Sequence, residues 1–127
     1  MEDRRGNKEF IMPVIKFSKN WNHKLNCNYF TTIRLLLEKN TSYYYLNLAE
    51  IFSVFLKGEK YCKAQLISIS KIKLNSIVDN YLNFTDAGLT VIQFYKLMKK
   101  FYGKKKEWQG WDTPCLLLLF KRMNELE

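Results

Sequence analysis

Thr31-Thr32-Ile33-Arg34 sets two hydroxyls and an arginine within four positions, inside the aromatic and β-branched run Tyr29–Leu35. Such a run favours a strand. At a strand end, these residues present a polar, cationic spot in an otherwise apolar sheet. Arginine offers five donors in a fixed plane and so suits bidentate contact with phosphate or carboxylate; the plainer reading is an arginine held in a strand-end ion pair. A second group is purely basic. Lys96, Lys99, Lys100, Lys104, Lys105 and Lys106 lead toward Trp108 and Trp111, while Lys57, Lys60, Lys63, Lys71 and Lys73 decorate a hairpin. Charge tracks phosphates and ring faces stack on bases, so basic groups interleaved with aromatics suit a nucleic-acid strand. Against this stands a solvated lysine face with its tryptophans in the core. His23 and Cys27 are spaced i, i+4, but two ligands do not make a metal site. Cysteine–histidine catalysis lacks an orienting third group, and the five scattered glycines form no phosphate loop.

The background in which these residues sit narrows the classes. The chain has 127 residues, 47% of them hydrophobic and 16% aromatic. That suffices for one domain with its own core and excludes wholesale disorder. Mean hydropathy is −0.30, and the longest apolar run, Cys115–Phe120, falls far short of the ~20 residues of a membrane span. No secretory signal opens the chain, and three cysteines without a CxxC disfavour both a disulfide framework and a zinc ribbon. The default is therefore a soluble, cytoplasmic protein with neither metal nor cofactor. Lys and Arg number 21 against 12 Asp and Glu, giving +9. Without residues 1–9 and 124–127, the balance of 18 basic and 7 acidic side chains is +11. So small a domain with that excess attracts polyanions. Seventeen of the 21 are lysines, suited to phosphate contact as point charges.

The elements that position these residues follow from period and punctuation. Residues 1–9 read as a disordered arm, 10–123 as a single domain and 124–127 as a tail. Met12–Phe17 reads as a first strand, Ser18–Cys27 as a short helix and Glu38–Tyr44 as a polar connection. Ile51–Leu56, the turn Lys57-Gly58-Glu59-Lys60 and the run from Tyr61 form a hairpin. Within Tyr61–Leu74 the apolar phase changes, as a bulge or a long bent strand requires where a sheet curls. Ile77, Tyr81 and Leu82 suggest a short helix. Thr90–Tyr102 is a helix with Thr90 and Gln93 placed as a capping box and Gly103 as its stop. Its stripe is Val91, Phe94, Tyr95, Met98, Phe101 and Tyr102. Cys115–Phe120 is a buried final strand. The fold class is α+β, a small curled β-barrel of about five strands with flanking helices.

With these residues in place, Phe30-Thr31-Thr32-Ile33-Arg34 resembles the signature strand of ASCH domains, a branch of the PUA-like superfold. The surrounding order agrees. A first strand ends in Lys16-Phe17, and a short helix precedes the signature. Phe52–Leu56 and Tyr61–Leu74 resemble the family's central strands. Asp86-Ala87-Gly88-Leu89-Thr90 leads into the aromatic helix, and Asp112-Thr113-Pro114 precedes a closing strand. The resemblance spans roughly residues 12–121. It implies a β-barrel with flanking helices and a cleft associated with RNA or modified-nucleoside chemistry. Some members are acetylcytidine amidohydrolases with a Lys–Thr–Glu set. The threonine corresponds to Thr32, the lysine position falls on Tyr29 with its glycine on Cys27, and the acidic position falls near Ala87, one residue from Asp86. A tyrosine, with a pKa near 10 and no amine, is a poor substitute for a lysine base.

The sequence is therefore read as a basic PUA-like domain that binds nucleic acid, RNA foremost, without catalysis. Thr31, Thr32 and Arg34 line the cleft with Lys16 and Tyr29 as neighbours. Phosphate contacts come from Lys57, Lys60, Lys63, Lys99, Lys100, Lys104, Lys105 and Lys106. The alternative is a hydrolase of a modified nucleoside or RNA with Thr32 and Asp86 as its polar pair, and a third class is a module that binds acidic protein.

Overall fold

Alternating burial along five short segments builds a mixed sheet that curls into a half-barrel. The computed structural model describes residues 12–77 and 87–123. The five strands are β1 (Val14–Phe17), β2 (Tyr29–Leu35), β3 (Ile51–Leu56), β4 (Glu59–Lys73) and β5 (Pro114–Arg122), in the order β1-β3-β4-β5-β2. β1 runs parallel to β3 and the other pairs are antiparallel. The two-residue turn Lys57-Gly58 has φ of 53° and 85°, the positive pair that a tight hairpin with twisted strands needs.

The phase change in β4 is a register shift between Leu66 and Ser68. Ala64 and Leu66 face the barrel core, and so, after the shift, does Ile69, whereas Ile72 joins the second core. The extra residue flips the side-chain alternation. Lys63 is thereby separated from Lys71 and Lys73 onto the opposite face; the three would share a face only in a strand without the bulge.

Two cores result. The barrel interior holds Phe30, Phe52, Val54, Leu66, Leu118 and Phe120, all buried. The second lies on the other face of the sheet, where α2 (Val91–Tyr102) sets Phe94 and Met98 against Ile33, Leu74 and Cys115. The α2 capping box is complete: Thr90 Oγ1 accepts from Gln93 N–H at 3.2 Å, and Gln93 Oε1 accepts from Thr90 N–H at 3.0 Å.

Two segments differ from expectation. Glu38–Tyr44 is no mere connection: Glu38–Leu46 forms helix α1. It has no apolar stripe, and its hold on the fold lies in Tyr43 and Tyr44. Tyr44 is buried against Phe52, with ring centroids 6.2 Å apart. The Tyr43 hydroxyl accepts from Val14 N–H at 2.8 Å and donates to Val14 C=O at 3.3 Å, so it caps the outer edge of β1. Tyr43→Phe should therefore leave both backbone groups to solvent. A loss of about 1–2 kcal/mol in urea unfolding is expected; an unchanged midpoint would mean that the cap contributes nothing.

The second is the expected helix Ser18–Cys27, which is a 3-10 segment, Trp21–Asn26, broken at Asn22 and His23 with φ of 55° and 54°. Left-handed backbone at two successive non-glycine residues is uncommon, although Asn and His adopt it more readily than most. The turn is held by a brace. Asn20 Oδ1 accepts from Leu25 N–H at 3.0 Å, and its Nδ2 donates to Asn26 Oδ1 at 2.8 Å. Tyr61 Oη donates to Asn26 Oδ1 at 2.7 Å, and Arg122 Nη1 donates to Leu25 C=O at 2.7 Å. Gly88, at φ +70°, completes the fit, since a Cβ there would stand 3.1 Å from Asn22 Oδ1. Tyr81 and Leu82 of the expected short helix lie outside the described residues, as do the arm 1–9 and the tail 124–127. No helix among the described residues is long and apolar enough to cross a membrane.

Candidate functional site

The sheet order leaves β1 and β2 at its two ends, and a cleft of about 350 Å³ opens at the seam between them. β1 contributes Lys16 and Phe17, the braced 3-10 segment Trp21 and Lys24, and β2 Thr32 and Arg34. Ala87 and the α2 residues Phe94, Met98, Phe101 and Tyr102 form the facing wall. The volume lies within the range of small-ligand sites. Three cations and several rings border it, and no carboxylate does so among the described residues.

Arg34 spans the seam. Its Nε donates to Thr32 Oγ1 at 3.1 Å, its Nη2 donates to the Lys16 carbonyl at 3.1 Å, and its Cζ lies 4.8 Å from the Phe17 ring centre. These contacts use two of the five guanidinium donors. Among the described residues no carboxylate pairs with Arg34 in the manner of a strand-end ion pair. Thr32 is buried and accepts from Arg34, which leaves its hydroxyl proton to donate. Behind them, burial raises the pKa of Tyr102, with Arg34 and the backbone of Leu35 pulling the other way. Burial likewise raises Tyr44, against the pull of Arg34. Both phenols remain protonated at neutral pH. Burial pushes the Cys115 thiol up to about 12, so no thiolate nucleophile arises there.

No protein-family model and no curated protein matches the sequence. Solved structures do match. An ASCH domain from Lactobacillus crispatus JV V101 aligns with a TM-score of 0.60 at 14% identity, over 94% of this chain and 85% of that one. The fold is that of an ASCH domain. A DUF984 protein from Enterococcus faecalis V583 aligns with a TM-score of 0.55 at 12% identity, over 92% of this chain and 80% of that one.

Within this ASCH fold the sequence candidates separate. Lys16, Thr32 and Arg34 come together at the cleft. Tyr29 and Thr31 lie on the opposite face of β2 from Thr32 and Arg34, because alternate residues of a strand point to opposite sides. Tyr29 is 55% exposed. Ala87 is buried and brings only a methyl to the wall, while Asp86 lies outside the described residues. Lys57 and Lys60 are exposed at the hairpin tip and Lys63 on β4. Lys99 and Lys100 end α2 beside Phe101, and Lys104, Lys105 and Lys106 are exposed in the loop that follows. Trp108 and Trp111 both pack against Tyr95, with ring centroids 5.6 and 4.5 Å apart.

Lys24 is the residue that sequence reasoning missed. It is only 5% exposed, and its Nζ lies 5.3 Å from the Phe17 ring centre. Nothing in the asparagine-rich stretch around it marks a buried cation. Its place depends on the left-handed turn at Asn22 and His23.

Proposed function

We propose that this chain binds RNA without cleaving it, holding one nucleotide in the cleft at the seam. The observation that supports the reading most is the Arg34 guanidinium: it has donors to spare, sits beside Thr32 and Lys16, and is flanked by aromatic walls. A phosphate or base edge takes the charged donors, and a base stacks on a ring. The surrounding lysines supply sequence-independent attraction. For about four to six neutralised phosphates, log affinity for single-stranded RNA should fall against log salt with a slope of roughly −3 to −5. Replacing Lys104, Lys105 and Lys106 together should flatten that slope and leave sequence preference unchanged. A weak, salt-insensitive interaction would overturn the reading. A second reading has one specific observation behind it. Lys24 and Thr32 border one cleft, which brings an amine and a hydroxyl to the walls of the space a modified nucleoside would fill. Loss of the acetyl group from acetylcytidine on incubation with the protein, followed by mass, would favour this hydrolase.

A further inference from the structure

α2 covers only one end of the outer sheet face, the end carrying Ile33, Leu117 and Ile72. At the other end the register aligns a row across four strands. Tyr29 lies opposite Lys121, Lys121 opposite Gln65, and Gln65 opposite Ile51. Their sequence neighbours Phe30, Phe120, Ala64 and Phe52 are buried in the barrel core, so the row points outward. Lys63 shares this face two residues before Gln65. Tyr29 is 55% exposed and Ile51 38% exposed, and Lys63 and Lys121 are exposed. No carboxylate occupies the row. An exposed ring with Lys121 on the neighbouring strand and Lys63 one strand further, on the outer face of the curled sheet, matches a single strand whose base stacks while its phosphates meet charge.

We infer that this end of the outer face, which no described helix covers, is a second contact for single-stranded RNA, with Tyr29 as the stacking platform and Lys63 and Lys121 as phosphate partners. The inference rests on the RNA reading of the cleft but uses none of its residues. β2 is an end strand of the sheet, so a single strand can pass around it from Arg34 to Tyr29. The distance along β2 is about 17 Å, a span of a few nucleotides. This assigns Tyr29 a place in binding outside the cleft, and it adds Lys121, which the sequence did not single out.

The test compares two- and eight-nucleotide uridine RNAs by fluorescence anisotropy, using the parent, Tyr29→Ala/Lys63→Ala/Lys121→Ala, Tyr29→Trp and Arg34→Lys, with a melting curve for each. The octamer should bind the parent at least about tenfold more tightly than the dinucleotide. The triple variant should lose about tenfold or more on the octamer and nothing on the dinucleotide, whereas Tyr29→Trp keeps the ring and the affinity. Its substituted side chains are outside both cores, so the triple variant should melt with the parent. An octamer no tighter than the dinucleotide, or a triple variant that binds both lengths like the parent, overturns the second contact and leaves the cleft intact. If instead Arg34→Lys binds both lengths like the parent while the triple variant loses the octamer, the cleft assignment fails and the face stands. If neither RNA binds the parent, both fail.

Discussion

Phe120→Ala should cost about 3–5 kcal/mol, the upper range for emptying a buried aromatic position. Phe120 is fully buried on β5, which is bonded to β4 on one side and β2 on the other. Its ring stacks on Phe30 at 5.4 Å and meets Phe52 edge-on at 5.2 Å. Each ring is anchored on a different paired strand, so the cavity has little freedom to collapse. At roughly 3–5 °C per kcal/mol for a chain of this size, the melting midpoint should fall by about 10–20 °C. Phe120→Leu, nearer in volume, should recover most of that loss. A midpoint within a few degrees of the parent for Phe120→Ala would show that the core repacks and that the three-ring contact is incidental.

The second large effect belongs to Arg34. Arg34→Lys keeps the charge but loses the planar fork, so RNA binding should weaken by about 1–3 kcal/mol, the scale of one bidentate contact. The same change removes the Nε bond to Thr32 and loosens the tie to Lys16, which should also cost about 1 kcal/mol of stability. Thr32→Val separates the two. It deletes the acceptor and leaves the guanidinium in place, so it should weaken binding less than Arg34→Lys. Paired titrations and melting curves decide the matter. Affinity lost only in proportion to folding makes Arg34 a seam tie and nothing more.

How far the sequence anticipated this depends on the physics that places each part. The Lys57-Gly58 turn, the Thr90–Gln93 capping box and the apolar run of β5 carry local signals, and all three elements form where those signals stand. α1 carries none. Asn40, Thr41 and Ser42 are weak helix formers, and tertiary contacts, chiefly those of Tyr43 and Tyr44, hold it, so it read as a connection. The bulge in β4 was readable as a phase change, and with it the separation of Lys63 from Lys71 and Lys73. At the cleft, Thr32 and Arg34 were readable because both stand in one strand. Lys24 was not, since its burial depends on the left-handed turn at Asn22 and His23, a conformation that both residue types tolerate but that no local pattern announces.

The hydroxyl of Tyr43 has one further consequence. A sheet that stops short of closure exposes the ends of its peptide ladder, and such ends recruit other chains. At β1 the exposed N–H and C=O of Val14 are occupied by that phenol, on a helix with little other anchorage. Local opening favours the least anchored element. Detachment of α1 while the barrel core persists would thus uncover the edge of β1 at Val14 as a template for intermolecular strand pairing.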